Sequence, residues 1–204
     1  MRGRGARGLA LAALAVLLVG CDAGEPSALE CRVEVDTPDL VADREAAGTA
    51  DCPEIATSPG AADLPDLELQ CLGSTSTMAL SDVQGPAMIN FWASNCGPCR
   101  DELPALQAFH ERYGDQVAVI GVDFLETYPA AAIDLNRLSG VTYPSLADAC
   151  GDLNEAGLAI YGLPQFVFVA ADGSVSNALG GKDSLADVVA LVEKHLDVDL
   201  EPTR

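Results

Sequence analysis

Histidine is almost missing from this chain: His110 and His195 are the two in 204 residues, and neither stands at a ligand spacing from the other or from a cysteine pair. A structural zinc module needs two ligand pairs, and a single Cys-x-x-Cys, at 96 and 99, supplies only one. Basic residues are also few. Eleven Lys and Arg face 31 Asp and Glu for a formal charge of -20, which repels nucleic acid and anionic lipid head groups and favours solubility. No glycine-rich phosphate loop occurs, so nucleotide chemistry has no foothold. The apolar stretch Leu9 to Val19 is too short for an ordinary membrane span. What is plentiful is core-forming residues: 49% of the chain is hydrophobic, ample for one domain plus extensions.

The N-terminus reads as a targeting segment. Arg2, Arg4 and Arg7 precede Leu9 to Val19, the order of charge and apolar core in a signal peptide, here residues 1–20. The run ends Leu18-Val19-Gly20-Cys21, which resembles a bacterial lipoprotein box. On that resemblance Cys21 becomes the lipidated first residue, and the protein is exported and anchored to the outer face of the cytoplasmic membrane. Six cysteines then remain, an even set suited to an oxidising compartment. Residues 21–63 lack sustained periodicity and are rich in Ala, Asp, Glu, Pro and Gly, so they read as an acidic tether with a short helix at Leu40 to Ala47. The domain runs from 64 to 204.

Within it, Leu67 to Cys71 alternates as a strand, Gly73 to Thr75 turns, and Met78 to Leu80 returns as a hairpin. Pro86 to Trp92 is an apolar central strand. A helix follows with Leu103, Leu106, Phe109 and Tyr113 on its core face and a bend expected at Pro104. Val117 to Val122 reads as a buried parallel strand, Pro129 to Leu138 as a helix, Val141 to Leu146 as extended, and Asp152 to Ile160 as a brief helix. Phe166 to Val169 and Ser174 to Leu179 form strands about the Asp172-Gly173 turn. Ser184, with Asp187 three residues on, caps a last helix carrying Leu185, Val188, Val189, Val192 and Leu196.

The chemistry sits between the central strand and the helix that follows it, in Asn95-Cys96-Gly97-Pro98-Cys99. Unpaired backbone N–H groups and the helix dipole favour a thiolate at Cys96, below the free thiol value of about 8.5. Cys96 is therefore the attacking sulfur. Cys99, one turn deeper, resolves the mixed disulfide. Four further cysteines, Cys31, Cys52, Cys71 and Cys150, allow three pairings, and the sequence does not decide among them. Cys52 with Cys71 is favoured because it would pin the end of the tether to the hairpin, leaving Cys31 with Cys150.

The string Phe91-Trp92-Ala93-Ser94-x-Cys96-Gly97-Pro98-Cys99-Arg100, then Glu102-Leu103-Pro104, then Tyr161-Gly162-Leu163-Pro164 before Phe166-Val167-Phe168-Val169, resembles the thioredoxin superfamily. More narrowly it resembles the TlpA-like or ResA-like membrane-anchored thiol-disulfide oxidoreductases, over residues 64 to 197. The resemblance implies an α/β thioredoxin-like fold: a mixed sheet flanked by helices, with an N-terminal β-hairpin and a central βα insert. It implies that Glu102 is the acid that exchanges protons with the dithiol, and that a cis Pro164 with Leu163, Trp92, Asn95 and Pro98 meets the substrate backbone. Two departures stand out. Asn95 replaces the tryptophan usual in thioredoxins, and Asn90 takes the place of their buried proton-accepting aspartate, shifting that work to Glu102 or water.

The implied function is thiol-disulfide exchange on protein substrates, reductive and directed at cytochrome c maturation or thiol repair, with a membrane electron donor or acceptor, no cofactor, no metal, no nucleic acid, and a monomeric chain. Two alternatives remain open: a disulfide-forming oxidase, and a lipoprotein that delivers metal or haem through its cysteines without turnover.

Overall fold

The computed structural model describes residues 31–53, 60, 61 and 63–201. The signal peptide 1–20 and the lipidation position Cys21 lie outside them.

β3 (Ala87–Trp92) is the axis of the fold, and all six of its residues are buried. A strand apolar on both faces must be covered on both faces, so β3 sits in mid-sheet. β4 (Ala118–Phe124) pairs with it in parallel and β6 (Gln165–Val169) antiparallel. β5 (Ser145–Asp148) extends the parallel side, and β7 (Val175–Leu179) closes the other edge. β1 (Glu68–Cys71) and β2 (Thr77–Ala79) form the expected hairpin, which joins the sheet through β5. The mixed seven-stranded order is β2-β1-β5-β4-β3-β6-β7.

Alternation along β3 divides the core. Met88 and Trp92 face the layer containing Leu103, Leu106 and Phe109 of α2 (Gly97–Tyr113) and Val188 and Val192 of α5 (Leu185–Leu196). Ile89 and Phe91 face the second layer, with Ile120, Val122, Leu146 and Leu153. α3 (Pro129–Ser139) covers the first layer through Ala132 and Ile133. Ser184 caps α5, its Oγ accepting from the Asp187 N–H at 3.2 Å.

α2 runs through Pro104 to Tyr113 and buries the expected Leu103, Leu106, Phe109 and Tyr113. Two expectations shift. The extended stretch expected from Val141 is a strand only at Ser145–Asp148. The helix expected to reach Ile160 is α4, Asp152–Glu155, ended by Gly157 at φ 98°.

The largest difference concerns the tether. From Cys31 onward the chain is one compact unit, so residues 31–53 belong to the domain rather than leading to it. α1 (Pro38–Ala47), capped by the Thr37 hydroxyl, buries Leu40, which with Val35 joins the α2 and α3 core. Arg44 donates to the carbonyls of Gly73 and Thr49 at 2.9 and 3.0 Å. Gly73, at φ 70°, can carry no side chain here, because a Cβ would lie 2.8 Å from that of Arg44. Two disulfides fasten the segment: Cys31 bonds Cys150, and Cys52 bonds Cys71. Among the described residues no helix is long and apolar enough to cross a membrane.

Candidate active site

β3 delivers the chain to the carboxyl end of the sheet, where open α/β sheets place their chemistry, and α2 follows after a short turn. Cys96 is the N-cap of α2, with Pro98 in the first turn, and its Sγ accepts from the Cys99 N–H at 3.2 Å. The sulfur thus occupies the place a capping oxygen would take, facing helix donors that stabilise negative charge. The structure holds the oxidised form, with Cys96 bonded to Cys99 and their Cα atoms 5.3 Å apart. Cys96 is partly open and Cys99 fully buried, so an incoming partner meets Cys96 first.

Three residues after Cys99 on α2 lies Glu102, with 0% exposure. Its Oε1 accepts from Asn90 Nδ2 at 2.8 Å, and its Oε2 accepts from the N–H groups of Gly181 and Lys182 at 2.8 and 3.3 Å. Burial raises its proton affinity above the ordinary carboxylate value, while these donors and the Lys182 ammonium act the other way. It is not the exposed first-turn carboxylate that its helix position alone would suggest.

Leu163 and Pro164 are joined by a cis peptide. Pro164 is buried and its carbonyl accepts from the Gly180 N–H at 2.8 Å. Gly180 packs between proline and acid: a Cβ there would lie 2.8 Å from Pro164 Cβ and 2.9 Å from Glu102 Oε2. The loop from β7 to α5 therefore touches both groups. In the sequence Gly180-Gly181 is only a break in the chain, yet that pair of glycines is the one signal of the close approach.

Trp92 is fully buried, and its indole N–H has no partner among the described residues. Asn95 is exposed at the mouth of a groove of about 400 Å³ that also involves Ala93, Phe124, Leu125, Tyr161 and Leu163. Tyr161 is 84% exposed and Leu125 55% exposed, the latter at φ 54°. Apolar surface missing at Asn95 is thus present on the facing loops.

A second acidic pair does not stand out in the sequence. Glu126 accepts from the backbone N–H and the hydroxyl of Ser94, fixing the turn before Cys96. Asp123, opposite Trp92 in the register and 1% exposed, holds its proton well above the usual carboxylate range through burial and the nearby Glu126 charge. Both lie at the end of an apolar run that reads simply as a buried strand.

The histidines stand apart from the dithiol chemistry. His195 stacks on Phe168 and His110 meets Tyr143 edge-on. Asp51, Cys52 and Cys71 cluster at metal-ligand distances, but both sulfurs are bonded to each other and Asp51 accepts from Ser74 and Ser76.

Residues 61–178 match the model of the AhpC/TSA family. The chain belongs to that family. It is 29% identical over 124 residues to the thiol-disulfide oxidoreductase ResA of Oceanobacillus iheyensis, covering 57% of this chain and 62% of that one. It is 30% identical over 102 residues to the thiol:disulfide interchange protein DsbE of Pseudomonas aeruginosa, covering 50% and 54%. The chain thus spans less than two thirds of the length of these curated relatives. The fold is thioredoxin-like. It superposes on a thioredoxin-like protein from Porphyromonas gingivalis with a TM-score of 0.54 at 26% identity, covering 69% of this chain and 95% of the other. A secreted Mycobacterium tuberculosis disulfide oxidoreductase homologous to E. coli DsbE gives a TM-score of 0.55 at 20% identity, covering 63% and 95%.

Proposed function

We propose that the protein is a thiol-disulfide oxidoreductase that reduces disulfides of exported protein substrates through Cys96 and Cys99. One observation carries the reading: the sulfur of Cys96 caps α2 while Cys99 is buried, with a buried carboxyl three residues further along the same helix. In the reduced enzyme the Cys96 thiolate attacks a substrate disulfide, one substrate thiolate leaves, and a mixed disulfide forms. Glu102 takes the proton of Cys99. The Cys99 thiolate then attacks the Cys96 sulfur, expelling the second substrate thiolate and leaving the intramolecular disulfide. Two electrons pass to the substrate, and a membrane electron donor is needed to restore the dithiol.

The backbone beside Pro164 pairs with the substrate in an extended form, with Leu163, Asn95, Trp92 and Pro98 around it. Cytochrome c precursors or damaged exported thiols are the expected clients. The two further disulfides favour an oxidising compartment, consistent with export by residues 1–20 and a lipid on Cys21.

The test is dithiothreitol-driven insulin reduction. Wild type should turn over, and Cys99→Ala should lose turnover while accumulating a mixed disulfide at Cys96. Equal rates for the two would refute the mechanism, and inactivity of both with tight metal retention would point to a carrier. Equilibration with glutathione gives the potential: a value near that of thioredoxin, about -270 mV, supports the reducing role, and one near -120 mV the oxidising one.

A further inference from the structure

Among the described residues, the Glu102 carboxyl is met only by donors: the side-chain amide of Asn90 and the backbone N–H groups of Gly181 and Lys182. That arrangement suits a carboxylate. A carboxylic acid must itself donate one hydrogen bond, and a backbone N–H cannot accept it. The mechanism above nevertheless delivers a proton to this group, inside a site from which water is largely shut out.

Asn90 carries the missing acceptor. Its Oδ1 is buried and has no hydrogen-bond partner among the described residues, while the Nδ2 of the same amide holds Glu102. An unpartnered carbonyl oxygen in a fully buried side chain needs a reason. Half a turn about the last side-chain bond exchanges Nδ2 for Oδ1 and presents an acceptor to Glu102. The turn exchanges two groups of nearly equal size within the plane of the amide, so it needs little room beside the neighbours of Asn90, Gly121 on β4 and Phe166 on β6. One end of the amide is unpaired in both orientations, so that cost is common to the two states.

We propose that Asn90 is a positioning residue whose side-chain amide reverses as Glu102 gains and loses its proton, donating to the carboxylate and accepting from the acid. This rests on the reading that Glu102 takes the proton of Cys99. An aspartate at position 90 would add a second charge to the pocket, whereas the amide serves both protonation states without one. Among the described residues, the titratable and charged groups that interact with Glu102 are Lys182 on the β7–α5 loop and Tyr143 ahead of β5, and the two cysteines stand at the head of its own helix. The Lys182 charge favours the carboxylate, and Tyr143 stays protonated throughout because burial and the Glu102 charge both raise its pKa.

The experiment is NMR of the full-length protein, labelled at Glu and Asn and titrated with acid in the oxidised and reduced forms. The Glu102 side-chain carbon reports its protonation, and the Asn90 amide nitrogen and its two protons report the turn. The expected result is that the Asn90 signals move with the midpoint of Glu102, and that in Glu102→Gln they stay fixed at every pH. Asn90 signals that do not move while Glu102 titrates would overturn the inference and leave the dithiol mechanism standing. A Glu102 carbon that never titrates, together with wild-type turnover in Glu102→Gln, would remove both the acid role and the inference. Turnover provides a second reading: in Asn90→Leu the carboxylate loses a donor, so the acid limb of the rate profile should move up by about one pH unit. An unmoved limb would count against Asn90 as a partner.

Discussion

Thr49 donates its hydroxyl to the carbonyl of Val141 at 3.0 Å, joining residues 92 positions apart across a buried contact. The bond places the stretch before the hairpin inside the domain. Thr49→Val should cost about 1 kcal/mol by leaving that carbonyl unpaired, and Leu40→Ala about 2 kcal/mol or more by opening a cavity against α3. Urea unfolding of the two variants measures this. Stabilities equal to wild type would mean that residues 31–53 only rest on the surface.

The two structural disulfides should differ in worth. Cys31 and Cys150 are 119 residues apart, and Cys52 and Cys71 are 19 apart. If cross-links act mainly by restricting the unfolded chain, replacing the first pair with alanine should cost about 5 kcal/mol and the second about 3 kcal/mol. Denaturant midpoints of the two double variants decide it. A reversed order would show that local packing around Cys71, rather than loop length, sets the contribution.

Asp123 gives a pH signature. Its folded proton affinity is raised by burial first and the Glu126 charge second. From the unfolded value of 3.8 up to that raised value, the native state holds more protons than the unfolded chain, so this residue's contribution falls as pH rises. An asparagine side chain at the same position cannot ionise. Asp123→Asn should therefore be more stable than wild type at about pH 8, with the gain shrinking towards about pH 4. Denaturant midpoints at several pH values provide the measurement, and a gain independent of pH would contradict it.

What the sequence revealed follows the range of the interactions involved. The dithiol was legible because a strand, a turn and a helix start are local events, and β3 because six consecutive buried residues leave an unmistakable apolar run. α1 could be read as a helix but not as part of the core. It buries only Leu40 among its ten residues and is held largely by Arg44 and its flanks, which leave no apolar stripe. The position of Glu102 in α2 is plain from the sequence, yet its burial is not. The loop that covers it, at Gly181 and Lys182, arrives 79 and 80 residues later. α4 fell short of expectation because Gly157, at φ 98°, turns the chain where the polar pattern alone suggested continuity.

The bond between Cys31 and Cys150 also fixes how the molecule bears tension. A pull transmitted along the residues ahead of Cys31 crosses directly to the loop between β5 and α4. α1 and the β1–β2 hairpin, which lie inside the loop that the bond closes, are bypassed while it holds. Drag on a surface-attached copy would then be taken up by covalent sulfur rather than by peeling the hairpin from the sheet edge.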